Sequence, residues 1–177
     1  MSKLNFLLIS IAEQRLYGFT GVDEVVCMPV STALKGAGEL NGSGCTPRGW
    51  HRIRACIGKD LPLNAVLRAR RWTGEIWTPE LHQAFPGRDW ILTRILWLSG
   101  AEVGVNRLGS VDTFRRYIYL HGTPDTEPMG LPLSHGCIRM RNQDIAELFE
   151  RVDPGCAVFI TEDVLTPLLR QTLKDFL

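Results

Sequence analysis

Short segments rich in branched and aromatic residues, separated by turn signals, constrain the fold of this chain more than any other feature. Such segments occur at Leu4 to Ser10, Arg15 to Phe19 and Glu24 to Met28, and the pattern resumes at Trp50 to Ile57. Segments of this kind are typical of β-strands joined by tight turns. Residues 35–49 contain five glycines and one proline, which predicts a loop within this strand-rich half.

The second half of the chain predicts strands mixed with helices. We expect a strand at Arg116 to Leu120 that places His121 at its end, a helix from an Asn142 cap to about Val152, a closing strand at Cys156 to Thr161, and a terminal helix within 162–177 with Pro167 near its start. Residues 58–87 show no sustained period. Trp90 to Leu98 fits either a buried strand or a short helix, because periodicity alone does not separate the two.

Together these elements predict a mainly β fold, a sandwich or partly closed barrel with a few flanking helices. The chain has 177 residues, no internal repeat and no low-complexity linker, so we expect a single domain over 1–177. Its formal net charge of +1 provides no large field for binding nucleic acid or an anionic membrane surface. No apolar run approaches the ~20 residues needed to span a bilayer.

The number and spacing of the cysteines indicate whether the protein is in a reducing or an oxidising compartment. The five cysteines are odd in number, irregularly spaced and without a C-x-x-C pair, which favours reduced thiols over a disulfide framework. Leu4 to Ala12 resembles a minimal signal peptide, but its removal would delete a predicted core strand. We therefore expect a cytoplasmic protein, with a periplasmic location as the alternative.

The residues that indicate chemistry lie within a short stretch. His121 precedes a loop with three prolines, and Ser134-His135-Gly136-Cys137 follows it. A cysteine is a good nucleophile only as its thiolate, which a nearby histidine can generate. Consecutive amides at Gly136 and Cys137 could stabilise an oxyanion. This arrangement predicts acyl transfer through a cysteine.

The same residues allow other interpretations. His121, His135 and Cys137 could supply three zinc ligands, although their spacing fits no common zinc motif. A binding module without catalysis was a further alternative. The remaining candidates are expected to be structural: Cys27, Cys56 and Cys156 in the core, Cys45 in a loop without a role, His51 and His82 as hydrogen-bonded histidines, and Arg68, Arg70 and Arg71 in a solvated loop.

The sequence resembles the catalytic domain of L,D-transpeptidases of the YkuD type. The resemblance rests on His121-Gly122-Thr123, a spacer, and Ser134 to Met140 (SHGCIRM). Pro29 to Thr32 and Thr46 to Gly49 also resemble family segments, so the resemblance extends over about 4–161. It implies a peptidoglycan tetrapeptide stem as substrate and attack on the carbonyl of its third, L-configured centre.

The resemblance also assigns roles to individual residues. It implies Cys137 as nucleophile, His121 as general base and the Gly122 carbonyl as the group that orients His121. His135 and Gly136 would shape the oxyanion side. The resemblance further implies that Arg139 binds a substrate carboxylate and that Ser134 organises the loop. It implies no cofactor and no metal.

The resemblance leaves two functions open, and they differ in the molecule that accepts the acyl group. Water would make the protein an L,D-carboxypeptidase that releases D-alanine from recycled muropeptides, and an amine would make it a cross-linking or amino-acid-exchanging transpeptidase. The expected cytoplasmic location favours water. The expected partner is a small muropeptide, with no nucleic acid and no membrane, and the sequence defines no oligomeric state.

Overall fold

The computed structural model describes residues 2–174. In chain order its strands are β1 Phe6–Ser10, β2 Arg15–Thr20, β3 Asp23–Pro29, β4 Gly49–Ile57, β5 Ala65–Arg68, β6 Arg71–Ile76, β7 Ile91–Gly100, β8 Tyr119–Gly122, β9 Ile138–Met140 and β10 Ala157–Thr161. The α-helices of these residues are α1 Pro79–Ala84, α2 Asn142–Arg151 and α3 Pro167–Lys174.

The strands form one mixed sheet in the order β3-β2-β1-β10-β4-β7-β5-β6, and β8 and β9 branch from β7. Most pairs are antiparallel, whereas β1 with β10 and β8 with β9 are parallel. The path of the described strands does not close on itself. The predicted mainly β class with a few helices is therefore confirmed, and its form is a single open sheet.

Strand β1 lies at the centre of one half of the sheet. All five of its residues are buried, because the sheet is covered on both faces around it. One face carries Leu7 and Ile9 in the main apolar core, and the other carries Phe6 and Leu8 against Phe19. The segment that resembles a signal peptide is thus an integral strand of the fold.

Helix α2 covers the sheet next to the strands that carry the site. Its buried side chains Ile145, Leu148 and Phe149 belong to the main core. The predicted Asn142 cap is wrong, since Arg141 occupies the N-cap position. Asn142 is instead buried, where it donates to Thr123 O at 2.8 Å and accepts from Thr93 Oγ1 at 2.5 Å. The first residue of the helix is therefore held by Thr93 and Thr123, and no side chain caps the helix start.

One boundary in the second half of the chain differs from expectation. The strand before His121 begins at Tyr119 rather than Arg116, because the chain turns first: Arg116 N donates to Asp112 O, and Tyr117 has φ +57°. The ambiguous 90–98 segment is a strand. The terminal helix begins at Pro167, after a turn in which Asp163 N donates to Thr161 Oγ1, and positions 175–177 of the expected helix lie outside the described residues.

Cys27 is exposed, so its predicted core position is wrong. Strand β3 alternates, and its neighbours Val26 and Met28 take the buried face. Cys27 therefore faces outward because successive side chains of a strand point to opposite sides. Of the other two cysteines predicted in the core, Cys156 is buried there. Cys56 is partly exposed and packs against the core.

Candidate active site

The parallel pair β8–β9 brings the candidate residues together. The register aligns Leu120 with Ile138 and His121 with Arg139. The connection between them is held by backbone hydrogen bonds to the segment before the glycine-rich loop, from Gly130 N to Val30 O and from Ser134 N to Thr32 O. Both strands therefore deliver their residues to one edge of the sheet.

The thiol of Cys137 lies against the backbone of the neighbouring strand. Tyr119 N donates to Cys137 Sγ at 3.4 Å, and the thiol donates to Tyr117 O at 3.4 Å. Cys137 is partly exposed to the cleft. Desolvation by surrounding protein raises its pKa to about 12, against a smaller lowering by the Tyr119 amide. The thiol is thus protonated near neutral pH.

His121 is buried and lines the same cleft as Cys137. Its Nδ1 lies 2.8 Å from Gly122 O, which fixes the ring and leaves Nε2 as the basic nitrogen when Nδ1 carries the proton. Burial lowers the pKa of His121, so the imidazole is neutral near pH 7. Gly122 has no room for a side chain, since a Cβ there would lie 2.5 Å from Asn142 Oδ1 and 2.7 Å from Leu92 O.

The Ser134-His135-Gly136 turn shapes the backbone next to the thiol. Ser134 Oγ donates to Cys137 O at 2.5 Å and accepts from Gly136 N at 3.2 Å. Gly136 has φ +131°, and its carbonyl accepts from Thr46 Oγ1 at 3.0 Å. Of the two amides expected to face an oxyanion, the one at Gly136 is therefore engaged by Ser134, and the Cys137 amide is the remaining candidate.

Arg139 and His135 meet an acidic residue that the sequence did not single out. Arg139 Nη2 lies 2.9 Å from Asp89 Oδ1, and Nη1 lies 3.8 Å from Glu127 Oε2. His135 Nδ1 is 3.6 Å from Asp89 Oδ2, and its side chain is 79% exposed. The guanidinium expected to bind a substrate carboxylate thus already pairs with carboxylates of the chain.

A cleft of about 300 Å³ contains the candidate site. Its lining residues are Arg70, Asp89, Ile91, Tyr117, Tyr119, His121, Ser134, His135, Cys137 and Arg139. Arg70, expected in a solvated loop with Arg68 and Arg71, is partly exposed at the turn between β5 and β6 and lines this cleft, whereas Arg68 and Arg71 are exposed. Tyr119 and His121 are two residues apart in β8, so their side chains lie on the same face of the strand. No local signal pointed to Asp89 or Arg70, which reach the cleft from distant segments.

Other arginines lie elsewhere. Arg107 and Arg115 line a second cavity of about 730 Å³ together with Arg52 and Arg54. Arg141 donates to backbone carbonyls of the loop before Ser134.

Within residues 2–174, no group of three or more His, Cys, Asp or Glu side chains is arranged to hold a metal ion. The described helices also include none long and apolar enough to cross a membrane.

The fold and the cleft define a class of protein: a mainly β domain with a histidine in one strand and a cysteine immediately before the adjacent parallel strand. The family model of the L,D-transpeptidase catalytic domain (YkuD) matches residues 5–160, and the chain belongs to this family. The resemblance found in the sequence is thereby confirmed.

Relatives and solved structures agree with this assignment. The chain is 32% identical over 164 residues to "Probable L,D-transpeptidase YbiS" of Escherichia coli, with 89% of this chain and 45% of that protein covered. It is 28% identical over 159 residues to "Probable L,D-transpeptidase ErfK/SrfK" of Salmonella typhimurium, with coverage of 88% and 44%. The chain thus spans less than half the length of these relatives.

Two solved structures share the fold. The structure of Bdellovibrio bacteriovorus Bd1075 aligns with a TM-score of 0.58 at 16% identity, covering 99% of this chain and 56% of that chain. An L,D-transpeptidase from Mycobacterium smegmatis aligns with a TM-score of 0.55 at 15% identity, covering 88% and 58%. At these identities the likeness concerns the fold.

Proposed function

We propose that this protein is a cysteine acyl-transferase that cleaves the L,D-peptide bond of a peptidoglycan tetrapeptide stem. The observation that carries the proposal is the placement of the Cys137 thiol and the buried His121 in one cleft. Membership in the L,D-transpeptidase family supports the substrate class. Cys137 is the nucleophile and His121 the general base.

The two groups begin the reaction uncharged. Because burial raises the pKa of Cys137 to about 12 and lowers that of His121, a resting thiolate–imidazolium pair is disfavoured. The thiol proton passes to His121 Nε2 as sulfur attacks the carbonyl carbon of the third, L-configured residue. The Cys137 amide faces the developing oxyanion, and the Gly122 carbonyl stabilises the imidazolium through Nδ1–H.

The intermediate then collapses. The carbon–nitrogen bond to the terminal D-alanine breaks, its nitrogen takes the proton from His121, and a thioester to Cys137 remains. Water attacks this thioester, His121 accepts a proton from the water, and the proton returns to the sulfur as the tripeptide leaves. In this proposal Ser134 and His135 shape the turn that presents the Cys137 amide, and Gly136 supplies its left-handed backbone.

We propose water as the acceptor, hence an L,D-carboxypeptidase acting on muropeptides in the cytoplasm. Five free cysteines, one of them exposed, support a reducing compartment. An amine acceptor is the second candidate, and it is favoured by the transpeptidase names of the relatives. That reaction would place the protein at the cell wall, in the periplasm.

Product analysis tests the proposal. The protein is incubated with a disaccharide-tetrapeptide, with and without an amine acceptor, and the masses of products and protein are followed. Loss of one alanine and a transient protein adduct are expected, whereas formation of a dimer or an exchanged stem would identify the transpeptidase.

A matched pair of variants assigns the nucleophile. Cys137→Ala should abolish both product and adduct, and Cys27→Ala, which removes an exposed thiol on β3, should retain both. Full activity of Cys137→Ala would overturn the mechanism. Binding of the muropeptide without any adduct to the unmodified protein would instead establish a binding module.

A further inference from the structure

Arg70 lies at the tip of the hairpin formed by β5 and β6. Ala69 and Arg70 form its two-residue turn, with φ +47° and +65°. Such turns need left-handed backbone at both positions and usually contain asparagine and glycine, because other L-residues are strained there. The Arg70 side chain makes its contacts outside this turn.

Those contacts are on the wall of the catalytic cleft. The Arg70 guanidinium lies 4.7 Å from the ring centroid of Trp97 and 5.0 Å from that of Tyr117. Its Nη1 donates to the Tyr119 hydroxyl at 3.3 Å. Tyr117 and Tyr119 are also the residues whose backbone groups hold the Cys137 thiol. Arg70 is therefore stacked on the side chains directly beside the nucleophile.

The other arginines near the thiol are committed to oxygen partners. Arg139 pairs with Asp89 at 2.9 Å. Arg116 donates to the carbonyls of Gly38, Glu39 and Cys45 and to Ser43 Oγ, at 2.6–3.3 Å. Within the described part of the chain, the contacts of Arg70 are one phenol and two ring faces, with no carboxylate among them. A guanidinium carries five N–H donors, so most of those on Arg70 are available to a ligand.

We propose that Arg70 binds the terminal carboxylate of the residue that leaves when Cys137 attacks. The inference rests on the proposed function, which places the scissile carbonyl at Cys137. The leaving residue extends one position beyond that carbonyl, about 3.3–3.6 Å along an extended chain. Its carboxylate must therefore find a partner within the same cleft, and Arg70 is the cation there without an acidic partner.

Stacking prepares Arg70 for this role. The two ring faces fix the plane of the guanidinium, so less conformational entropy is lost when a carboxylate binds it through two parallel hydrogen bonds. Recognition of a free terminal carboxylate makes the enzyme select stems that end one residue after the scissile bond. Longer stems would place an amide, which carries no charge, against Arg70.

Two peptides and a pair of variants test this specificity. The peptides are a tetrapeptide stem with a free terminal carboxylate and the same stem ending in a carboxamide. Arg70→Gln retains an L-residue at the strained position and removes the charge. Arg71→Gln, on the exposed neighbouring position, is the matched control.

The unmodified protein and Arg71→Gln should prefer the carboxylate peptide by about 10- to 100-fold in kcat/KM, the size of one charged hydrogen-bonded contact. Arg70→Gln should lose this preference through a higher KM for the carboxylate peptide, so that the ratio of kcat/KM between the two peptides falls towards one. Arg70→Lys should recover part of the preference, since the charge is kept but the planar fork is lost.

Two outcomes would overturn the inference. A preference that survives in Arg70→Gln would assign the carboxylate to another group. An equal loss on both peptides would make Arg70 a support for the tyrosine wall. The same peptides are titrated into Cys137→Ala with and without Arg70→Gln, so the carboxylate preference is measured as binding even if no thioester forms. Absence of the thioester in the unmodified protein would contradict the proposed function alone.

Discussion

The rings of His121 and His51 are held in the sheet by the same kind of hydrogen bond, from Nδ1 to a glycine carbonyl. Each is almost fully buried, and each Nδ1 lies against a glycine carbonyl, at 2.8 Å from Gly122 O and 2.9 Å from Gly49 O. Burial lowers both pKa values, that of His51 to about 4. The two rings are therefore both oriented and both neutral near pH 7.

They differ in what surrounds the second nitrogen. His51 Nε2 meets Thr113 Oγ1 at 3.1 Å in the interior, whereas His121 lines the cleft that contains Cys137. The comparison shows that burial and a carbonyl partner prepare a neutral imidazole without making it a base. The chemical role depends on whether Nε2 faces a satisfied interior or a reacting group.

The largest effect is expected from replacing each histidine by glutamine. His121→Gln should lower the rate of thioester formation by about 10²–10⁴-fold, because the proposed general base is lost. His51→Gln should leave the rate of the folded protein unchanged but lower its melting temperature. Rates by intact-protein mass and melting by circular dichroism check both, and an equal rate loss in the two variants would remove the distinction.

The pH dependence of stability should follow from the lowered pKa of His51. An unfolded histidine titrates near 6.5 and folded His51 near 4, so the unfolded chain binds more protons between these values. The free energy of unfolding should therefore fall as pH drops from 6.5 towards 4, with His51 contributing up to about 1.4 kcal/mol per pH unit.

Urea unfolding at pH 5, 6 and 7 measures this dependence. His51→Gln should reduce the slope, and His121→Gln should change it in the same direction, since burial lowers that pKa as well. Gly87→Ala, which removes no titratable group and has no atom within 4 Å of the new Cβ, is the control and should leave the slope as it is. A steep slope retained in His51→Gln would show that other groups dominate.

Replacing by alanine either of the two glycines whose carbonyls hold the rings should lower the free energy of unfolding by about 1–3 kcal/mol. In Gly122→Ala the new Cβ would meet Asn142 Oδ1 and Leu92 O, and in Gly49→Ala it would meet the Glu102 carboxylate. Only Gly122→Ala should also slow acylation. Gly87→Ala, with no atom within 4 Å of the new Cβ, should be near neutral in unfolding experiments.

The smallest effect is expected from Thr113→Val. It removes the partner of His51 Nε2 and keeps the volume of the side chain, so stability should fall by about 1 kcal/mol while the acylation rate stays the same. Chemical denaturation and the thioester assay measure the two quantities. A slower acylation in this variant would link His51 to the site and weaken the contrast with His121.

Much of the fold could be predicted from local patterns. The first three strands, the strand at Trp50 and helix α2 were all expected near their observed positions, since turn signals and apolar periodicity are properties of adjacent residues. The errors at Arg116, Asn142 and Cys27 have another origin. The Arg116 error comes from a local turn, in which Arg116 N donates to Asp112 O before the strand begins. Asn142 is held by Thr93 and Thr123 of other segments, and the face of β3 that is buried depends on what packs around the strand. A strand or helix pattern specifies neither of these.

The candidate site divides in the same way. The sequence by itself determined that His121 and Cys137 are the chemical pair to consider, because their motif is local and specific. Only the tertiary structure decided that Asp89 neutralises Arg139 and that Arg70 reaches the cleft. These contacts join segments that are far apart along the chain, and they exist only once the sheet has fixed its strand order and register.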